Sequence, residues 1–390
     1  MQSGGQINST LTSRPVNWLL LLVGFAAFLG VALGGFLLLR EVDLPLWAVL
    51  FIALIWSIGS SVLLFVLAQR FTDLLPPKMA RAITPFLLVG PVVLLLSWAL
   101  VFPFVRTLID SFFISGASVN NSGLVLLDNY VKIFTTADGW LVLRNNALWI
   151  IVGTPISLTF GMIVAVLADG RRAERWVKTI IFMPLAISLV GAGVIWALVY
   201  QFQPAGSTQI GLLNAIVVGF GGEPQGFLQL APWNNLFLMV IAAWSGTGFA
   251  MVFFSAALRG VPRELIEAAE VDGAGPARIF FQIQLPYIWP TILAVGSISI
   301  IGGLKIFDVI QTLTGGGFET EVAATAFFRA EYESLDSGLA AAFAVVLLIL
   351  VTPVMYYNLR QFRASEGVTP GGQSLLSRAW VRLTGRRATS

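Results

Sequence analysis

Eight apolar stretches, each close to the roughly 20 residues needed to cross a hydrocarbon core as a helix, dominate this chain of 390 residues. They run over 17–39, 46–68, 83–104, 146–168, 179–202, 235–258, 288–304 and 337–359, with no charge inside any of them. Their apolar residues are continuous rather than alternating, which excludes barrel strands. A backbone in lipid must satisfy its own hydrogen bonds, so each stretch is expected to be a helix. The fold class is therefore all-α, a polytopic integral membrane protein of about eight transmembrane helices. The first stretch is too long for a signal-peptide core and no small-residue cleavage site follows it, so it reads as a retained anchor. Residues 211–220 are apolar over only half a span and read as an interfacial or re-entrant piece.

The rest of the composition narrows function by exclusion. Only 11% of residues are charged, against roughly a quarter in a soluble domain, so a soluble enzyme is excluded. Histidine and cysteine are both absent. That removes disulfides, Cys/His zinc sites, thiol nucleophiles, Ser-His-Asp triads and histidine proton relays. The net charge of +3 does not indicate nucleic acid, because a membrane protein collects Lys and Arg on its cytoplasmic side. Seventeen basic residues fall in the N-terminal segment, the second, fourth and sixth connections and the C-terminal segment, and five fall opposite. Both termini are thus expected in the cytoplasm. The basic C-terminal tail can touch anionic lipid or serve only to orient the chain.

No repeat and no soluble domain is visible. The outer connection from about 107 to 144 contains 126–134, which reads as a short amphipathic element lying on the membrane surface. The most informative stretch joins the sixth and seventh runs, Arg259–Pro286. Pro262 suits a helix start, and Glu264, Glu267 and Glu270 recur at helical spacing near it, where negative charge is favoured. Ala268 and Ala269 are small enough for a close partner. Asp272 and Gly273 break the helix. Gly275 and Pro276 open a second short helix carrying Ile279, Phe280 and Ile283, which Leu285 and Pro286 close. Part acidic and part apolar, this loop is either a docking surface or a compact loop folded on itself.

The run of Glu267, Ala268, Ala269, Asp272, Gly273, Ala274, Phe281, Ile283, Leu285 and Pro286 resembles the EAA loop of ABC importer permeases. Phe307, Asp308, Thr312 to Gly317 and Ser337 to Ala342 resemble the sugar permeases of the maltose/glycerol-phosphate type. Ser111, Phe112, Leu127 to Tyr130, Arg144 and Asn145 fit the same group. The absence of proline after the glycine cluster, where Phe318 to Val322 follow, and Tyr356 to Arg363 near the end look like the α-glucoside branch. The resemblance covers about residues 85–363. It implies a type I ABC importer permease fold, with a core over 142–360, extra helices and the outer loop over 17–141, and cytoplasmic tails over 1–16 and 361–390. It also implies the partners: a second permease subunit, two copies of a nucleotide-binding ATPase docked on 259–286, and an extracytoplasmic sugar-binding protein, all at a bacterial inner membrane. ATP and magnesium would belong to the ATPase. This chain has no phosphate-binding Gly-Lys motif and no cofactor or metal site of its own.

A sugar presents hydroxyls and an apolar ring face, so its path should mix hydrogen-bond formers with aromatics near mid-membrane. The sixth run carries Trp244, Ser245, Gly246 and Phe249, and the seventh carries Ser297, Ser299, Gly302 and Gly303. Counting in register from Glu267, the family's substrate-contacting stretches fall on Ser245, Gly246 and Phe249, and on Ser299, Gly303 and Ile306. Where several family positions are Asn or Tyr, this chain has Ala242, Gly303 and Ile306. Each serine can equally be a packing hydroxyl bonded to its own helix. Lys305 and Asp308, three apart at the outer end of the seventh run, read as an intramembrane charge pair, either functional or mutually neutralising. The contrasting functions are an ion-coupled secondary transporter, disfavoured by the scarcity of intramembrane acids, an ABC permease for a non-sugar solute, and a membrane enzyme.

Overall fold

A computed structural model describes residues 14–41, 45–114 and 123–366; most of both basic tails lies outside them. The chain divides into two compact units, Met1–Val105 and Arg106–Ser390. The first holds α1 (Arg14–Glu41), α2 (Leu46–Asp73) and most of α3 (Pro77–Asp110). Trp56 Nε1 donates to the Val31 carbonyl at 2.8 Å, tying α2 to α1. Three prolines, Pro85, Pro91 and Pro103, lie within α3.

The second unit opens with a two-residue hairpin, Phe113–Ile114 against Gly123–Leu124. Then come α4 (Asp128–Thr135) and α5 (Ala137–Leu148), which passes through a π turn at Trp149–Gly153 into α6 (Thr154–Ala168). Next are α7 (Glu174–Phe182), α8 (Leu189–Val199), α9 (Leu212–Gly219) and the long α10 (Asn234–Arg259). The connection that follows holds α11 (Arg263–Val271), α12 (Pro276–Ile279) and α13 (Leu285–Tyr287). Finally come α14 (Trp289–Leu304), α15 (Asp308–Leu313), α16 (Ala323–Phe328) and α17 (Ser337–Glu366).

Among the described residues seven helices are long and apolar enough to span a membrane, and one bent pair makes an eighth. That pair corrects the expectation of a continuous fifth helix. Glu174–Ala186 and Leu189–Val199 meet at 103°. Pro184 sits in a 3₁₀ turn, and Ser188 caps α8 by accepting from the Gly191 N–H at 3.1 Å. A capping serine after a proline competes with continuation of the helix. Hydropathy, which counts only apolar residues, does not register this break.

The element at 126–134 is a short amphipathic helix, as expected, and its inner face packs on protein. Ile133 is buried with Val142, Ala323, Ala342 and Phe343, and Asn129 Nδ2 donates to the carbonyls of Ser111 and Phe113, both at 3.0 Å. One face of α4 is thus packed into protein, although Val131 and Phe134 remain exposed. Residues 212–219, read as half a span, form the two-turn α9, pinned by Asn214 to the backbone of Gln201 and Gln225.

Small residues set the contact between α6 and α10. A Cβ on Gly161 of α6 would lie 2.6 Å from the Ala250 Cβ and 2.9 Å from the Met251 nitrogen of α10. These helices can therefore approach only because the position is glycine. Ala165, Met251, Phe254, Leu258 and Val295 fill the space below that contact.

Candidate functional site

The connection between α10 and α14 has a defined shape. Helix α11 ends at Gly273, whose φ of +77° is the left-handed conformation glycine tolerates. The Gly273 N–H donates to the Glu270 carbonyl at 3.0 Å and the Ala274 N–H to Ala269 at 2.9 Å, a Schellman closure. Ile266 and Phe280 pack with the buried Val261 and Ile288, and Ile279 is buried too, so one face of the loop is fixed to the protein. The other face is open. Glu264, Glu267, Glu270 and Asp272 are exposed and make no ion pair among the described residues, and Val271 and Phe281 are 88% and 64% exposed beside them. Of the residues singled out in this loop, Ala269, Ala274 and Leu285 are half-buried, whereas Ala268 and Pro286 are exposed. The loop thus presents an acidic and apolar surface that is anchored from behind.

An ion cluster absent from the sequence reading precedes this loop. Arg259, the last residue of α10, pairs with Asp169 at 3.2 Å and with Glu174, which also pairs with Lys178 at 2.6 Å. The cluster ties the α6–α7 turn to the start of the loop. Its members are 90 residues apart, so only the tertiary structure reveals it.

Between the helices lies a cavity of about 380 Å³. Its walls are Ala242, Ser245, Gly246 and Phe249 of α10, and Ile298, Ser299, Gly302 and Gly303 of α14 with Ile306. Thr154 and Ser157 of α6 line it too, as do Leu185, Ile187 and Leu189 at the bend of the broken span. Every position reached by counting in register from Glu267 faces this one space. No charged side chain lines it. Ser245 and Ser299 make no hydrogen bond to protein among the described residues, unlike Ser297 and Thr247, which bond their own helices at 2.7 and 2.6 Å. The packing role foreseen for each serine is therefore filled by Ser297.

Trp244 is the exception. It turns away from the cavity and meets Trp196 edge to face at 5.8 Å, beside the Trp149, Leu238 and Ile241 core. Lys305 and Asp308 do not pair: α14 ends at Leu304, α15 starts at Asp308, and no ion pair joins them among the described residues. The break between the helices removes the common face that i, i+3 spacing would give. Lys305 is exposed and lines a separate apolar cavity with Phe307, Phe328 and Tyr332.

Above the cavity, asparagines hold the glycine-cluster loop. Asn145 Nδ2 donates to the carbonyls of Glu319 and Glu321, both at 2.8 Å, and Asn146 bridges the Leu304 carbonyl and the Ala323 N–H. Asn234 donates to the Phe318 carbonyl. These bonds fix a chain with positive φ at Gly315, Gly316, Phe318 and Glu319. Glu321 is buried beneath Arg329, at 2.6 Å, and burial pushes its carboxyl up to about 7, with the neighbouring Arg329 opposing and Asp138 and Glu333 adding to the rise.

Residues 157–364 match the family described as binding-protein-dependent transport system inner membrane component. The chain belongs to that family. It is similar to the alpha-glucoside transport system permease protein AglF of Rhizobium meliloti (strain 1021), at 44% identity over 74% of this chain and 85% of that protein. It is also similar to the osmoprotective compounds uptake permease protein GgtC of Synechocystis sp., at 45% identity over 71% of this chain and 98% of that protein. Its fold is that of a bacterial ABC transporter involved in import of the acidic polysaccharide alginate, with a TM-score of 0.61 at 20% identity over 75% of this chain and all of that one. The chain is thus a multi-pass permease subunit of a bacterial ABC importer at the inner membrane, of the sugar-importer kind, and not an enzyme.

Proposed function

We propose that the solute is an uncharged di- or oligosaccharide of the α-glucoside kind. The observation that carries this reading is the cavity: free hydroxyls at Ser245 and Ser299, an aromatic ring at Phe249 and no charged side chain. Such a lining bonds sugar hydroxyls and packs a ring face, and gives nothing to a charged solute. The similarity to AglF supports the same substrate class. The similarity to GgtC favours a second reading, an osmoprotective compound; the uncharged cavity restricts it to a neutral one.

In this reading the chain forms half of the translocation path, and a second permease subunit forms the other half. Two copies of an ATPase subunit bind ATP and magnesium, and residues 259–286 dock on one of them. An extracytoplasmic binding protein delivers the sugar, and both termini lie in the cytoplasm, as the basic-residue asymmetry favours. Glu267 anchors the coupling helix and Gly273 supplies its turn. Opening and closing of the ATPase must grip this loop differently for the helices beside the cavity to follow.

The test is uptake of radiolabelled maltose into vesicles holding the whole transporter and its binding protein. ATP-dependent uptake competed by other α-glucosides is expected. Uptake driven by an ion gradient without the ATPase subunit overturns the reading. So does an intact permease–ATPase complex after Glu267→Arg and Gly273→Arg are combined.

A further inference from the structure

The two glycines at register positions, Gly246 and Gly303, leave the cavity without side chains where sugar contacts are expected. Across from them stands α6. A Cβ on Gly303 would lie 3.1 Å from Thr154 Oγ1, and one on Gly246 would lie 3.4 Å from Ser157 Oγ. Each glycine thus lies directly against a hydroxyl of α6, leaving it room, and both hydroxyl-bearing residues line the cavity. Thr154 and Ser157 are three apart on a helix and so share a face.

Their hydrogen bonding sets them apart from the ordinary helix serine. A serine or threonine inside an apolar helix usually bonds the carbonyl four residues back. Thr247, Ser297 and Thr352, none of which lines the cavity, all do so, at 2.6 to 2.7 Å. Ser157 makes no such bond among the described residues. Thr154 Oγ1 reaches only the Trp149 carbonyl, at 3.3 Å, across the π turn that opens the helix at Trp149–Gly153. One hydroxyl is free and the other is weakly held, beside the two free hydroxyls of Ser245 and Ser299.

We propose that Ser157 and Thr154 are specificity-determining residues, which hydrogen-bond hydroxyls of the transported sugar from the part of the wall that α6 forms beside Gly246 and Gly303. The proposal deepens the sugar reading above and rests on it. The polar contacts of the site are carried by α6 as well as by α10 and α14, with glycine making room for them. A site that bonds a particular hydroxyl discriminates against the analogue that lacks it.

The experiment is a comparison of uptake rates for maltose and its mono-deoxy analogues, using vesicles with the complete transporter. Because the same binding protein serves every variant, its own preferences cancel. The wild type is expected to take up at least one deoxy analogue about 5- to 10-fold more slowly than maltose, the size of one neutral hydrogen bond. Ser157→Ala should slow maltose by a similar factor while leaving that analogue unchanged, so that discrimination disappears. Ser157→Thr, which keeps the hydroxyl, should restore it, and Thr154→Val should erase discrimination at a different position of the sugar. A packing role would slow all sugars alike. If Ser157→Ala and Thr154→Val preserve the wild-type profile while Ser299→Ala alters it, the α6 contacts are wrong and the path stands. If Ser299→Ala and Phe249→Ala also leave the profile unchanged, the path itself is misassigned, and this proposal goes with it.

Discussion

The two compact units are equally apolar but built on different terms. In α1, α2 and α3 the apolar windows have no buried residues inside the protein, whereas in α10 and α17 44% of the window is buried. In the first unit Gly30, Gly34 and Gly59 face open space and Gly24 and Gly35 meet only the side chains of Leu67 and Trp56, while Gly161 and Gly248 of the second are pressed against neighbouring backbone. Hydrogen bonds follow the same division: Ser57 and Ser61 bond locally within α2, while Asn145 and Asn146 reach residues more than 150 positions away. Hydropathy alone makes a span, and what makes a site is small residues at crossings together with buried polar anchors.

That contrast can be broken by substitution, most severely at the glycine crossing. Gly161→Val should cost about 3 kcal/mol, the upper end for overpacking, and lower the yield of folded protein, because a branched side chain cannot fit against the α10 backbone. Gly34→Val should be nearly neutral by the same detergent melting assay. Equal losses at the two sites would end the distinction. Next in size is Asn146→Leu, which strands a buried carbonyl at Leu304 and a buried N–H at Ala323. The expected cost is about 2 to 4 kcal/mol, since each orphaned group costs roughly 1–3 kcal/mol, whereas Ser57→Ala should change stability by under about 0.5 kcal/mol.

A third test uses pH. The Glu321 carboxyl, pushed up to about 7 by burial, holds its proton more tightly in the folded protein than in the unfolded chain. Stability contributed by this group is therefore greatest below the ordinary carboxylate range and falls as pH rises to about 7, then levels off. Glu321→Gln should flatten that dependence. An unchanged pH–stability curve would show that the buried pair with Arg329 is already ionised. Among the long-range contacts the smallest stability effect is expected at Arg259→Met, about 1 kcal/mol or less because Arg259 is largely exposed, with a larger loss in ATP-driven uptake as the α6–α7 turn is released from the 259–286 loop.

Much of this was legible beforehand because the signals were local. The apolar runs gave the spans, and the coupling loop showed its glycine turn and acidic stripe within a dozen residues. Ser245, Gly246, Phe249, Ser299 and Gly303 were reachable by register from Glu267. Misplaced residues share a cause: Trp244, Lys305 and the bend at Ser188 depend on which way a face turns or whether a helix continues. Those outcomes are set by partners elsewhere in the chain, Trp196 for Trp244 above all. The hydroxyls of Thr154 and Ser157 went unnoticed because a serine in an apolar helix reads as packing until its missing backbone bond is seen.

By itself the sequence determined that this chain is helical, embedded in a membrane and free of His and Cys chemistry, since the cost of placing polar backbone and charge in hydrocarbon admits few other solutions. It also determined the shape of the coupling loop, where proline, glycine and acid spacing act over a few residues. Only the tertiary structure decided which hydroxyls are free, which glycines are crowded and which cation meets which acid. Those depend on contacts between segments 90 to more than 150 residues apart, whose geometry no local pattern encodes.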